Sequence, residues 1–151
     1  MRKPLVAGNW KMNTLRAEAV KLAQTIADRA AATPGVEIAL CLPFVYLDAV
    51  RGVVEGTPVG LGAQNMYHEA KGAFTGEISA AMLVDMGCRY VILGHSERRH
   101  VFGETDQQIN RKVHAALAAG LIPIVCVGER LEERESGQTA AVIRRQFEGS
   151  L

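Results

Sequence analysis

Five short apolar runs alternate with longer amphipathic segments along this chain. The runs are rich in branched side chains, and several are apolar at consecutive positions, which is typical of parallel strands covered on both faces. They lie at residues 5–7, 36–42, 58–63, 90–93 and 122–127. Because a helical segment follows each strand, the pattern predicts an α/β fold with about five parallel strands, five helices and right-handed crossovers.

The segments between the runs repeat apolar residues at helical spacing. Five helices are predicted in this way, at residues 15–30 and 45–54, from residue 78, at residues 105–120 and at residues 142–147. Thr105 and Gln108 have the spacing of a capping box, so the fourth helix is expected to begin after Thr105. Gly120 is expected to end it.

Composition is that of an ordinary globular protein. The chain has 151 residues, of which 22% are charged and 48% apolar, so we expect residues 1–151 to form a single domain. The formal net charge of +1 argues against nucleic-acid binding. No apolar run approaches the roughly 18 residues of a membrane span, and we identify no secretory signal. Three cysteines without a Cys-x-x-Cys pair favour a reducing cytoplasm.

The carboxyl ends of parallel strands are where functional sites form, so the loops after the apolar runs are the places to search. Lys11 follows the first run within a polar loop. A cation there suits an anionic phosphate or carboxylate. A surface lysine without a task fits the same position equally well.

A second candidate is His95, which stands two residues after the fourth run. Its ordinary pKa makes it a natural proton carrier at neutral pH, although a lone histidine is also often structural. Glu97 could pair with Lys11 or with an arginine, and Arg98 and Arg99 are expected to form a salt-bridge scaffold.

The third loop, residues 64–77, is long for a connection between a strand and a helix, and it carries Phe74 between glycines. Long ordered loops tend to be functional, and we predict that this one contacts another subunit. Searches for common motifs narrow the function further. The chain contains no phosphate-loop, dinucleotide-binding, His-Glu-x-x-His or Gly-x-Ser-x-Gly motif.

Together, these loops resemble the triosephosphate isomerase family in order and spacing, from Pro4 to about the end of the chain. The matching segments are Gly8-Asn9-Trp10-Lys11-Met12-Asn13, Gly62-Ala63-Gln64-Asn65, Gly72-Ala73-Phe74-Thr75-Gly76-Glu77, Gly94-His95-Ser96-Glu97-Arg98-Arg99 and Cys126-Val127-Gly128-Glu129. Such a joint match is far more specific than any single motif. The resemblance implies a (β/α)8 barrel, for which about 250 residues are usual, so we expect a partial barrel here.

The resemblance also implies roles for the polar residues. Lys11 would bind the substrate phosphate and stabilise the enediolate, with Asn9 beside it. His95 would act as a neutral imidazole that polarises the carbonyl. The reaction would interconvert dihydroxyacetone phosphate and glyceraldehyde 3-phosphate in glycolysis and gluconeogenesis. It would need no metal or organic cofactor.

Further residues match supporting positions of the family. Glu97 would orient Lys11, and Ser96 would contact the catalytic base while the lid is open. Arg98 would pair with Glu104. Subunit contacts would come from the long third loop, where the matching residues are Gln64, Phe74 and Thr75, and Thr75 would brace the neighbouring subunit's site.

The family's general base is a glutamate in a segment resembling Ala-Tyr-Glu-Pro-Val-Trp, and no such segment occurs in these 151 residues. The mobile lid and the later phosphate-binding glycines are likewise missing. We therefore expect little or no activity from this chain alone, since losing a general base typically costs about 10²–10⁴ in rate.

Two edge strands and an open interior face would also need covering. We expect self-association into a homo-oligomer, or a complementing fragment, to cover them. A non-catalytic, self-associating barrel fragment is the alternative function. An open flavodoxin-like sheet that binds a phosphate ligand stays a third possibility, because strand order is not readable from the sequence.

Overall fold

The computed structural model describes residues 3–151 and contains one parallel sheet of five strands. The strands are β1 (Leu5–Asn9), β2 (Glu37–Leu42), β3 (Val59–Ala63), β4 (Tyr90–Leu93) and β5 (Ile122–Val125). They lie side by side in chain order, each parallel to the next. This order excludes the flavodoxin-like sheet, whose order is 2-1-3-4-5. It is the order of consecutive strands in a (β/α)8 barrel, so the predicted partial barrel is confirmed.

All five predicted helices are present, and two short helices join them. The helices are α1 (Arg16–Ala30), α2 (Leu47–Val54), α3 (Ala80–Asp85), α4 (Ser96–His100), α5 (Asp106–Ala118), α6 (Leu131–Glu135) and α7 (Thr139–Ser150). The unpredicted helices, α4 and α6, have five residues each, which is too short to show an apolar period. The predicted capping box begins α5, where the Gln108 N–H donates to the Thr105 hydroxyl at 3.3 Å. Between residues 3 and 151, no helix combines the length and hydrophobicity that crossing a bilayer requires.

The main core lies between the sheet and the helices. Alternate side chains of β2, β3 and β4 point toward the helices and are buried there, as are the apolar faces of α1, α2, α3 and α5. Prominent members of this core are Leu40, Leu42, Leu61, Val91 and Leu93 from the strands and Ala23, Val50, Leu83 and Ile109 from the helices. Burial of each large aliphatic side chain contributes about 1.5–3 kcal/mol, so this core holds the strand ends in place.

Tyr90 closes the centre of the opposite sheet face, which we expected to be open. Its ring lies over Gly60, where an added Cβ would come within 2.6 Å of the ring. Its hydroxyl donates to Glu37 Oε2 at 2.8 Å. The outer strands are not closed in this way, because Leu5 on β1 is 39% exposed and Ile122 on β5 is 41% exposed. The expectation of an open face is therefore wrong at the centre and correct at the edges.

Candidate active site

Lys11 lies just after β1 in an unusual backbone conformation. Its φ of 53° is in the left-handed region that residues other than glycine seldom adopt. Hydrogen bonds hold both sides of the residue. The Lys11 N–H donates to Asn9 Oδ1 at 3.0 Å, and the Gln64 side chain donates to the Lys11 carbonyl at 2.9 Å. Non-glycine residues in this region cluster at functional sites, where the surrounding structure holds them.

His95 follows β4 through a turn that requires glycine. Gly94 has φ +67°, and an added Cβ would meet Ile109 Cδ1 at 2.8 Å. His95 Nδ1 accepts a hydrogen bond from the Glu97 N–H at 3.3 Å, which requires a lone pair on Nδ1. This contact fits the tautomer that carries its proton on Nε2. Nδ1 also lies 3.4 Å from Glu97 Oε2, the carboxylate oxygen that Lys11 does not contact.

An ion pair joins the loops after β1 and β4. Lys11 Nζ donates to Glu97 Oε1 at 2.6 Å, and both side chains are about half exposed. The hydrogen bond from Lys11 lowers the pKa of Glu97 below its ordinary value. Glu97 therefore pairs with Lys11, and not with either neighbouring arginine. The pair fixes the ammonium group at the carboxyl end of the sheet.

These groups share one cleft of about 230 Å³ at the carboxyl ends of the strands. Its polar lining includes Asn9, Lys11, Gln64, His95 and Glu97, and its apolar lining includes Met12, Phe44 and Phe102. A cation, a side-chain amide and a neutral imidazole suit a small anionic substrate that has a carbonyl group. In the described part of the chain, no group of three or more His, Cys, Asp or Glu side chains is placed to hold a metal ion.

A buried ionic cluster lies beneath this cleft. Arg98 pairs with Glu104 at 3.4 Å, as the resemblance implies. Lys112 also donates to Glu104, and to Asn65 Oδ1 at 2.9 Å. Burial lowers the pKa of Lys112, and the bond to Glu104 opposes this shift. Lys112 stands three residues after Ile109, which places it on the buried side of α5, and this spacing is the sequence signal for its burial.

Arg99 forms the second part of the predicted salt-bridge scaffold. Its guanidinium pairs with Asp106 at 2.5 Å and donates to the carbonyls of Gly94 and Cys126 at 2.7 and 3.0 Å. It also donates to Ser150 Oγ at 3.1 Å. The side chain is 6% exposed. Arg99 therefore ties the ends of β4 and β5 to the start of α5 and the end of α7.

Loop 64–77 is ordered by its own contacts. The Tyr67 N–H donates to the Ile78 carbonyl at 2.8 Å, and the rings of Tyr67 and Phe74 are 4.7 Å apart. Thr75 is exposed at the tip of this loop and does not line the cleft of its own chain. Ser96 is also exposed, at the start of α4. Gln64 is half-buried and bonds within its own chain, so its subunit contact stays a prediction.

The thiols take no part in the cleft. Burial raises the pKa of Cys41 to about 12 and that of Cys88 to about 11. It also raises the pKa of Cys126. All three are free cysteines, and at neutral pH they are protonated and unreactive. Apolar runs surround Cys41 and Cys126, which predicts that both act as small buried hydrophobes; Cys41 is buried, whereas Cys126 is only partly buried.

The sheet order defines a parallel α/β protein of the barrel class, with a candidate site at the carboxyl ends of its strands. A family model described as triosephosphate isomerase matches residues 4–151. The chain therefore belongs to the triosephosphate isomerase family.

Individual relatives agree with this assignment. The triosephosphate isomerase of Rhodopirellula baltica is 57% identical over 99% of this chain and 59% of its own length. That of Symbiobacterium thermophilum is 57% identical over 100% of this chain and 59% of its own. The crystal structure of triosephosphate isomerase from Bartonella henselae superimposes with a TM-score of 0.92 at 43% identity, over 99% of this chain and 62% of that one. The chain thus spans about three-fifths of the length of these relatives.

Proposed function

We propose that this chain carries the part of a triosephosphate isomerase site that binds the substrate phosphate and polarises its carbonyl. The substrates would be dihydroxyacetone phosphate and glyceraldehyde 3-phosphate, interconverted through an enediolate. The observation that supports this most directly is the Lys11–Glu97 ion pair at 2.6 Å in the same cleft as His95.

Each polar group of the cleft has a task in this mechanism. The Lys11 ammonium attracts the phosphate dianion and stabilises negative charge as the enediolate forms. Glu97 holds that ammonium in place, and the Asn9 amide binds substrate beside it. The His95 Nε2–H donates to the substrate oxygen and moves a proton between the two oxygens, as a neutral imidazole does in this family.

Proton abstraction from carbon needs a general base, and the segment that carries this base in the family has no counterpart in the 151-residue sequence. Weak binding through Lys11 is expected, because the later phosphate-binding glycines of the family are missing too, and turnover by this chain alone is expected to be absent or very weak. Trp10, the single tryptophan, is adjacent to Lys11, so its fluorescence is expected to respond to binding. Titration with glyceraldehyde 3-phosphate should change its fluorescence in the wild type and not in Lys11→Met. Lys21→Met, on the exposed face of α1, should behave as the wild type does.

A coupled assay tests turnover directly. Any isomerisation that belongs to this site should disappear in His95→Ala. If His95→Ala and the wild type show the same rate, the chain is better described as a non-catalytic module. If Lys11→Met binds the substrate as well as the wild type, the proposed site is wrong.

The non-catalytic alternative is favoured by the two edge strands. β1 and β5 flank the sheet, and each pairs with a single neighbour within residues 3–151. Apolar side chains around the site are also exposed, including Met12 at 95% and Phe102 at 70%. Unpaired apolar strands and exposed apolar patches promote association. We therefore propose a homo-oligomer or a complementing fragment as the partner, with Phe74 and Thr75 among the subunit contacts.

Light scattering across a dilution series tests this association. A mass that is a multiple of the chain's 16.3 kDa is the expected result, and a well-folded monomer at low concentration would contradict it. We also propose that residues 1–151 are one domain, supported by a buried cluster with members from β2, β3, β4, α1, α2, α3 and α5. A cytoplasmic location is a further proposal, supported by the free buried thiols.

A further inference from the structure

We propose that Gln64 is a positioning residue that holds Lys11 in its anion-binding geometry. This inference rests on the proposed function of the cleft, in which Lys11 binds the phosphate group. The position is set by the end of β3, because Gln64 is the residue directly after that strand. Its side chain is half-buried and lines the same cleft as Lys11.

Both protons of the Gln64 amide are used on backbone carbonyls. Nε2 donates to the Lys11 carbonyl at 2.9 Å and to the Cys41 carbonyl at 3.0 Å. Because both neighbours are acceptors, only the NH₂ end of the amide can face them. The Cys41 carbonyl also accepts the Trp10 N–H at 3.0 Å. Gln64 therefore fastens the loop after β1 to the end of β2.

The hydrogen bond from Gln64 stabilises Lys11 in a backbone conformation that is unfavourable for residues other than glycine. Lys11 has a φ of 53°, and a residue with a side chain leaves this region unless contacts hold it. The bond from Gln64 to its carbonyl complements the bond from its N–H to Asn9. Without the Gln64 bond, the backbone can relax and carry the ammonium away from Glu97 and the cleft. The Gln64 amide thus acts on the anion through Lys11.

Two substitutions of similar size separate the donor from the side-chain volume. Gln64→Glu places a carboxylate against two carbonyls and removes both donors, whereas Gln64→Leu removes the donors without adding charge. Gln107→Glu is the matched control, because it makes the same charge change at an exposed position of α5. Far-UV circular dichroism and urea midpoints confirm that each variant is folded. If Gln64→Glu does not fold, Gln64→Leu decides the outcome.

The first readout is binding of inorganic phosphate, followed by Trp10 fluorescence. We expect Gln64→Glu to bind about tenfold more weakly, which is the effect of about 1.4 kcal/mol, and Gln64→Leu to be intermediate. Acidification should move the ratio of Gln64→Glu to wild type back toward one, because the protonated carboxyl regains one donor. A residue needed only for stability would not show this pH-dependent recovery.

The second readout is hydrogen exchange at the Lys11 amide, which requires no ligand. Exchange should accelerate in both Gln64 variants, while amides of β3 and α5 keep their wild-type protection. Unchanged Lys11 exchange in both folded variants overturns the inference, as does unchanged phosphate binding when the wild type binds. If neither the wild type nor Lys11→Met binds phosphate, the result contradicts the proposed function and not the role of Gln64. The exchange measurement still decides the role of Gln64 in that case.

Discussion

Replacing Arg99 with methionine should destabilise the chain more than any other arginine substitution on its helices. The guanidinium of Arg99 bonds to four groups that come from four different parts of the sequence. Two are the carbonyls at the ends of β4 and β5, and two are side chains at the start of α5 and the end of α7. Methionine fills a similar volume and can make none of these bonds.

The cost can be estimated from the buried ion pair. Arg99 is 6% exposed and Asp106 is 20% exposed at the side chain. Removing one partner of a buried pair costs about 3–5 kcal/mol, because the other charge stays buried without its partner. Asp106 keeps the Ser150 hydroxyl as a donor at 3.1 Å, so the lower end of that range applies. A domain is stable by about 5–15 kcal/mol in total, so this loss is a large share.

Urea unfolding followed by far-UV circular dichroism measures the effect, at one fixed protein concentration because association shifts the midpoint. The matched control is Arg111→Met on the exposed face of α5, where only a 3.4 Å bond within the helix is lost. We expect the control to stay within about 0.5 kcal/mol of the wild type. Adding Asp106→Asn completes a double-mutant cycle, which should give a coupling of about 0.5–3 kcal/mol. A loss below about 1 kcal/mol for Arg99→Met, or additive effects in the cycle, would refute the argument.

Two further predictions concern the sheet and the cleft. Gly60→Ala should cost about 1–3 kcal/mol of unfolding free energy, because the new methyl group meets the Tyr90 ring. The control Gly52→Ala meets nothing within 4 Å in α2 and should gain about 0.5–1 kcal/mol. In Lys11→Met, the pKa of Glu97 should rise toward its ordinary value, since the Lys11 bond is the main cause that lowers it. Because the folded-state pKa is lowered, the pair stabilises the fold above the ordinary pKa and this contribution is lost as the pH falls through the lowered value. A carboxylate NMR titration with no difference between wild type and Lys11→Met would contradict this.

The elements that sequence reasoning located best are those with sharp local boundaries. The predicted bounds of β4 match the structure at both ends, because Arg89 and Gly94 flank its apolar run. β5 was predicted to residue 127 but ends at Val125. Cys126 still donates its N–H to the Leu93 carbonyl at 2.9 Å, so the chain leaves the sheet gradually there. An apolar sequence alone does not indicate the residue at which regular strand pairing ends.

Contacts that depend on the register between distant strands could not be predicted from the sequence. The closure of the sheet face by Tyr90 requires that Gly62 pairs with Tyr90 across β3 and β4, which puts Gly60 under the ring. The hydrogen bond from Gln64 to the Lys11 carbonyl depends on how β1 and β3 are offset along the strand direction. Local patterns give the type of each residue and the face on which it lies, whereas these contacts are set by how neighbouring strands align.

The contacts that build the cation and imidazole part of the cleft all lie within residues 3–151. Lys11 is held by Asn9, Gln64 and Glu97, and His95 is oriented by the Glu97 N–H. The arginine scaffold beneath them is closed within the same residues. Because Lys11 and His95 are already held in place by these contacts, the ordering cost of binding an anion is lowered, whereas proton abstraction needs a general base in addition. Anion binding and turnover should therefore be separable in this chain, with the first measurable where the second is absent.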